Sequence, residues 1–114
     1  MQLLTDSIRA ILLENGTRFG QDPDFHPVPV VKLFTPDGAA TWLIASAEPD
    51  DPDILFGLCD LGVGFPELGS VRLSEIAAIS GLLGLPVERD IGFSPTKPIS
   101  AYASEATRRR MVVA

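Results

Sequence analysis

Seven charged side chains fall in or beside stretches that read as strands: Lys32, Asp60, Glu67, Glu88, Arg89, Asp90 and Lys97. A charge in an otherwise apolar strand must face water or an opposite charge, because burying it alone costs more than packing returns. Alternation puts Glu88 and Asp90 on one face of their segment and Arg89 on the other. If Glu88 and Asp90 met Asp60 or Glu67, the paired carboxylates would suit a divalent cation or acid–base work. The plainer expectation is a solvated sheet face with cross-strand ion pairs. As polar groups at loops and strand ends, these seven are the candidate binding residues.

Other chemistry is sparse. Asp22, Asp24 and His26 are spaced by two and would share one face of an extended segment, but the ordinary reading is a polar proline-rich loop. With one His and one Cys in the chain, the usual structural zinc sites are excluded, and no metal ligand set is assigned. Cys59 is expected to pack as a small apolar residue, not to act as a nucleophile, and as a lone cysteine it permits no internal disulfide. Gly62-Val63-Gly64 begins like a dinucleotide fingerprint, yet Glu67 stands where the third glycine belongs and the segment leads into a strand. No cofactor is expected.

The charge balance excludes a further class. Nine Lys and Arg against fifteen Asp and Glu give −6, with no basic groove for nucleic acid outside Arg108, Arg109 and Arg110. Residues 48–67 hold six acids and no base (Glu48, Asp50, Asp51, Asp53, Asp60, Glu67), a belt that would attract a protein with a basic surface. Residues 1–4 lack the cationic start of a leader, and the longest uncharged run, residues 76–87, is too short to span a bilayer. A cytoplasmic protein without membrane contact is the expectation.

The elements that must position these groups follow from periodicity. Leu4, Ile8, Ile11 and Leu12 mark one face of a helix capped by Thr5, with Asn15-Gly16 as its stop. Residues 28–34 and 40–45 read as a hairpin about Thr35-Pro36-Asp37-Gly38, with Pro29 placing the first strand at an edge or making its start irregular. Residues 54–60, apolar on both faces, suggest a central strand, and 68–73 a fourth. Ser74 is the expected cap of a short helix to Ile79. A fifth strand is expected over 87–93 and a last helix from about Ile99 to Arg109. The sum is one domain over residues 1–114, of the α+β class: a mainly antiparallel five-stranded sheet with two or three helices packed on one face. An apolar edge at 28–34 would let copies of the chain pair into a homo-oligomer.

Four segments together resemble the domain-of-unknown-function 2958 family of small bacterial proteins. They are Pro27-Val28-Pro29-Val30-Val31-Lys32-Leu33-Phe34-Thr35-Pro36, Phe56-Gly57-Leu58-Cys59-Asp60-Leu61-Gly62, Gly64-Phe65-Pro66-Glu67-Leu68-Gly69, and Leu85-Pro86-Val87-Glu88-Arg89-Asp90 with Pro95-Thr96-Lys97-Pro98. The resemblance implies a setting on plasmids, integrative elements or phages, and supplies no catalytic residue. The expected function is a non-catalytic accessory or protein-interaction domain of a mobile genetic element, in its sharper form an antirestriction-like mimic of DNA phosphates. The alternative is a small metal-dependent enzyme or metal-binding domain built on a carboxylate cluster.

Overall fold

The computed structural model describes residues 2–114; Met1, which opens the segment read for a leader, lies outside them. Helix α1 spans Asp6–Gln21, and the Thr5 hydroxyl accepts from the Ile8 N–H at 3.2 Å, as expected of its cap. The helix does not stop at Asn15-Gly16. It continues five residues past Gly16, where a Cβ would collide with the carbonyl oxygen of Ala47. Gly16 therefore serves close helix–sheet approach, not termination.

Strands β1 (Val31–Phe34), β2 (Thr41–Glu48), β3 (Asp51–Asp60) and β4 (Glu67–Arg72) form an antiparallel meander, and β5 (Glu88–Arg89) returns to the far side of β1. The order is β4-β3-β2-β1-β5. Thus β2 is the middle strand; β3, expected there, lies one place outward, and β1 is interior and not an edge. Its start is irregular as Pro29 suggested, the ladder opening only where the Val30 N–H donates to the Ile44 carbonyl. The fifth strand is two residues long instead of seven, because the chain turns at Asp90, whose side chain accepts from the Gly92 N–H.

Helices cover both faces of the sheet, which corrects the one-face arrangement. Leu4 and Leu12 pack with Val31, Leu33, Trp42, Ile44 and Leu55 on one side. Ile99, Tyr102 and Ala106 of α3 (Ile99–Arg109) pack with Leu43, Ala45 and Leu58 on the other. The alternation of β2 feeds both layers, so its buried run from Trp42 to Ala47 is continuous. A bulge leaves Ala45 without a partner on β3, and the Asn15 side-chain amide donates to its carbonyl at 2.9 Å. A disrupted ladder is thereby satisfied from the helix.

The short α2 (Leu73–Ala77) is not capped by Ser74. Instead, the Ser74 N–H and hydroxyl both donate to Asp53, at 2.9 and 2.7 Å. Arg110, just after α3, takes a left-handed conformation (φ 60°) that costs a non-glycine residue about 1–2 kcal/mol. The tail beyond it is tied down by Asp60, whose Oδ2 accepts from the Val112 N–H at 3.0 Å. No helix among the described residues is long and apolar enough to cross a membrane.

Candidate functional site

The seven charged residues separate into groups. At the β1–β5 side, the Lys32 ammonium lies 3.6 Å from Asp90 Oδ2 and donates to the main-chain oxygen of Ala114 at 2.8 Å. Arg89 stands opposite Leu33 on the α1 face and donates to the carbonyls of Gln2 and Leu3 at 2.7 and 3.2 Å. Glu88 stands opposite Phe34. A hollow of about 260 Å³ opens beside them, between Ile8, Val30, Arg89, Asp90 and Ile91.

The other three lie elsewhere. Asp60 ends β3 and is only 4% exposed; its Oδ1 accepts from the Gly62 N–H at 2.8 Å and its Oδ2 from Val112. Both oxygens are thus engaged by main chain. Glu67 begins β4 opposite Cys59, on the surface. Lys97 donates to Glu105 Oε1 at 2.9 Å and sits 4.7 Å above the Tyr102 ring, and that ammonium holds the Glu105 carboxyl below the usual range.

The carboxylates do not converge. Glu88 pairs with Phe34, Phe34 with Thr41 and Thr41 with Asp60, so three strand-to-strand steps of about 4.8 Å set Glu88 and Asp60 about 14 Å apart. Among the described residues, no three His, Cys, Asp or Glu side chains are grouped to hold a metal ion. The alternative in which Asp60, Glu67, Glu88 and Asp90 converge therefore finds no grouped ligands among the described residues. Asp22 accepts from the Asp24 N–H at 3.0 Å, the ordinary turn chemistry of its loop. Burial pushes the Cys59 thiol up, opposite to the shift a nucleophile needs.

Nor is the acidic belt continuous. Glu48, Asp50, Asp51 and Asp53 cluster at the β2–β3 turn, whereas Asp60 and Glu67 sit at the other end of the ten-residue β3, about 30 Å away. Arg72 on β4 pairs with Asp51 and Asp53 at 3.2 and 3.5 Å. The Ser74 hydrogen bonds, and then Arg72, hold the Asp53 carboxyl below its usual range.

The feature that sequence reasoning missed is a turn between α2 and β5. Gly81, Leu82, Leu83 and Gly84 close it, with Gly84 at φ 79° and the Gly84 N–H donating to the Gly81 carbonyl at 3.0 Å. The Gly81 N–H donates to the Leu85 carbonyl, also at 3.0 Å. Asp37, from the β1–β2 turn, reaches across and accepts the Leu83 and Leu85 N–H groups at 2.7 and 3.2 Å. Held this way, Leu82 is 97% exposed and Leu83 82%. The signal was present in the sequence: two leucines between glycines, where a turn ordinarily carries polar residues.

A second surface feature lies beside α3. Leu68 of β4 faces the same side as Leu58 but is left 40% exposed, since it stands outside the buried cluster that α3 forms with Leu43, Ala45 and Leu58. The resulting groove, about 540 Å³, runs between Leu68 and the Ala103, Ser104 and Thr107 side of the helix. An adjoining hollow reaches Phe65 and Arg110.

The chain belongs to the family described as "Protein of unknown function (DUF2958)", whose model matches residues 3–113. No curated protein and no solved structure matches it.

Proposed function

We propose that this member of the family is a non-catalytic protein-interaction domain that docks through the Leu82/Leu83 turn. The observation that carries the reading is the tethering of that turn. Four hydrogen bonds, two of them to Asp37, fix the main chain of the turn that carries Leu82 and Leu83, two of the three most exposed large apolar residues among those described. Exposed apolar groups on a rigid support lose little freedom on binding, which favours docking. Residues 73–88 carry Glu75 and Glu88 and no base, so the fitting partner is a protein with an apolar cleft rimmed by basic groups. The same absence of cations disfavours an anionic lipid surface.

An accessory role on a plasmid, integrative element or phage belongs to this proposal through the family resemblance alone. Imitation of DNA phosphates draws less support, since the belt acids divide between the two ends of β3 and Arg72 neutralises part of one group. A metal-dependent alternative has no grouped ligands among the described residues to build on.

The test is a photo-crosslinking amino acid placed at Leu82 in the native host, with a control at Glu14 on the exposed side of α1. One dominant protein adduct at Leu82, absent at Glu14 and weakened by Asp37→Ala, is expected. No adduct at Leu82 or Leu83, or equal adducts at Glu14, would reject the reading.

A further inference from the structure

A second group of exposed apolar side chains lies where β3 ends. Between β3 and β4 the chain runs Leu61-Gly62-Val63-Gly64-Phe65-Pro66, and Leu61, Val63 and Phe65 are all exposed, Phe65 at 73%. The loop is held in shape. Gly62 and Gly64 take φ of 81° and 89°, open to glycine and strained for other residues, and a Cβ at Gly62 would come within 2.6 Å of Ala39 in the β1–β2 turn. The buried Asp60 accepts the Gly62 N–H through one oxygen and the Val112 N–H through the other. One carboxylate therefore fastens the loop beside the segment that leaves α3, and Phe65 and Arg110 border the same hollow.

Charge says what covers this loop. Arg108, Arg109, Arg110 and the Met111 that follows are all exposed. Arg108 and Arg110 form no ion pair among the described residues, and Arg109 lies 3.9 Å from Glu105. Of the acids at this end, only Glu67 is exposed; Asp60 is buried and Asp37 half-buried, and both accept main-chain N–H groups. Arg108 and Arg109 leave the helix about 100° apart, and Arg110 follows in its left-handed turn, so the three cations fan out instead of converging on one carboxylate. A layer of lipid phosphates offers repeating anions to such a set, and the acyl boundary beneath it takes apolar side chains. The loop's single aromatic ring is too little for a platform of stacked bases. We propose that this end of the protein docks on an anionic lipid bilayer, with Leu61, Val63 and Phe65 entering the headgroup–acyl boundary and Arg108, Arg109 and Arg110 meeting lipid phosphates. The same surface repels the Glu48, Asp50, Asp51 and Asp53 cluster at the far end of β3, which sets the orientation. The expectation of no membrane contact rests on leaders and spanning runs, and a surface contact needs neither. The inference uses no residue of the Leu82/Leu83 turn, and either can fail without the other.

Flotation of the full chain with lipid vesicles is the test. The wild type should float with vesicles of equal parts phosphatidylcholine and phosphatidylglycerol, less so as salt rises, and not with phosphatidylcholine alone. Leu61→Ser with Phe65→Ser, and separately Arg108→Gln with Arg110→Gln, should each weaken binding about tenfold or more, through two lost apolar groups or two lost cations. All four side chains are exposed, so the changes spare the fold, as circular dichroism will verify. Ile91→Ser, at an exposed apolar residue beyond β5, is the control and should float as the wild type does. A Val63→Trp chain adds a direct probe against the constant background of the buried Trp42: its emission should shift to the blue on anionic vesicles and be quenched by brominated acyl chains. A wild type that stays behind while anionic vesicles float would overturn the proposal, even if residue 63 then captures a protein or an oligonucleotide. So would binding that survives either double substitution, an equal loss in Ile91→Ser, or a Val63→Trp signal indifferent to brominated acyl chains.

Discussion

The Asp37 carboxylate accepts the Leu83 main-chain N–H at 2.7 Å, joining two turns 46 residues apart in sequence. Its other oxygen is buried without a hydrogen-bond partner among the described residues, and a Cβ at Gly81 would collide with it. Asp37→Ala leaves two N–H groups without their acceptor and should cost about 1–2 kcal/mol. Amide exchange at Leu83 and Leu85 should accelerate, while the centre of β2 stays protected. Gly81→Ala should give the same exchange pattern by pushing the carboxylate away. Unchanged exchange at Leu83 in both variants would show that Asp37 does not hold the turn.

Gly16→Ala should reverse an ordinary sign. In an exposed helix interior this change stabilises by about 1 kcal/mol. Here the new methyl would strike the Ala47 carbonyl, and overpacking of this kind costs about 1–3 kcal/mol. Gly20→Ala is the internal control, with open space around the added Cβ. Thermal melts should move down for position 16 and not for position 20.

Removing the Asp60 carboxylate should free the end of the chain. Asp60→Ala leaves the Gly62 and Val112 N–H groups unanswered, at a cost of about 1–3 kcal/mol. The Val112 anchor lies two residues beyond the left-handed turn at Arg110. Without it, residues 111–113 should gain mobility between Arg110 and the Lys32 bond at Ala114, read as narrowed NMR lines. Lines that stay broad would place the anchor elsewhere.

Stability should depend on acid through Asp53. Its folded carboxyl titrates below the ordinary range because Ser74 and then Arg72 favour the charged form. A depressed carboxylate contributes above its unfolded value of about 3.9, and the contribution is lost as pH falls through the folded value. Asp53→Asn should therefore melt lower than wild type at pH 7. The gap should hold to about pH 5 and close below about pH 4. A gap constant down to pH 2 would show that the ionised carboxylate is not what matters.

Local pattern was enough for much of the architecture. Thr5 with the Leu4, Ile8 and Leu12 spacing marked the first helix, Pro36-Asp37-Gly38 marked the hairpin, and Ile99, Tyr102 and Ala106 marked the last helix. Element order, antiparallel pairing and the α+β class follow from such signals, because turn chemistry and apolar periodicity act over a few residues. Family membership was also legible, in strings of residues that need no coordinates.

What the sequence could not decide was which distant residues share a place. Gly16 reads as a helix stop until Ala47 is seen against it, and Ser74 reads as a cap until Asp53 takes that role. Glu88 and Asp60 look like partners among the charged strand residues, but strand order sets three steps between them. Asp37 looks like one more turn aspartate, and only the packed chain aims it at Leu83. Periodicity fixes the face on which a side chain lies. The neighbour across that face depends on strand order and helix placement, which the whole core settles at once, and candidate function resides in those neighbours.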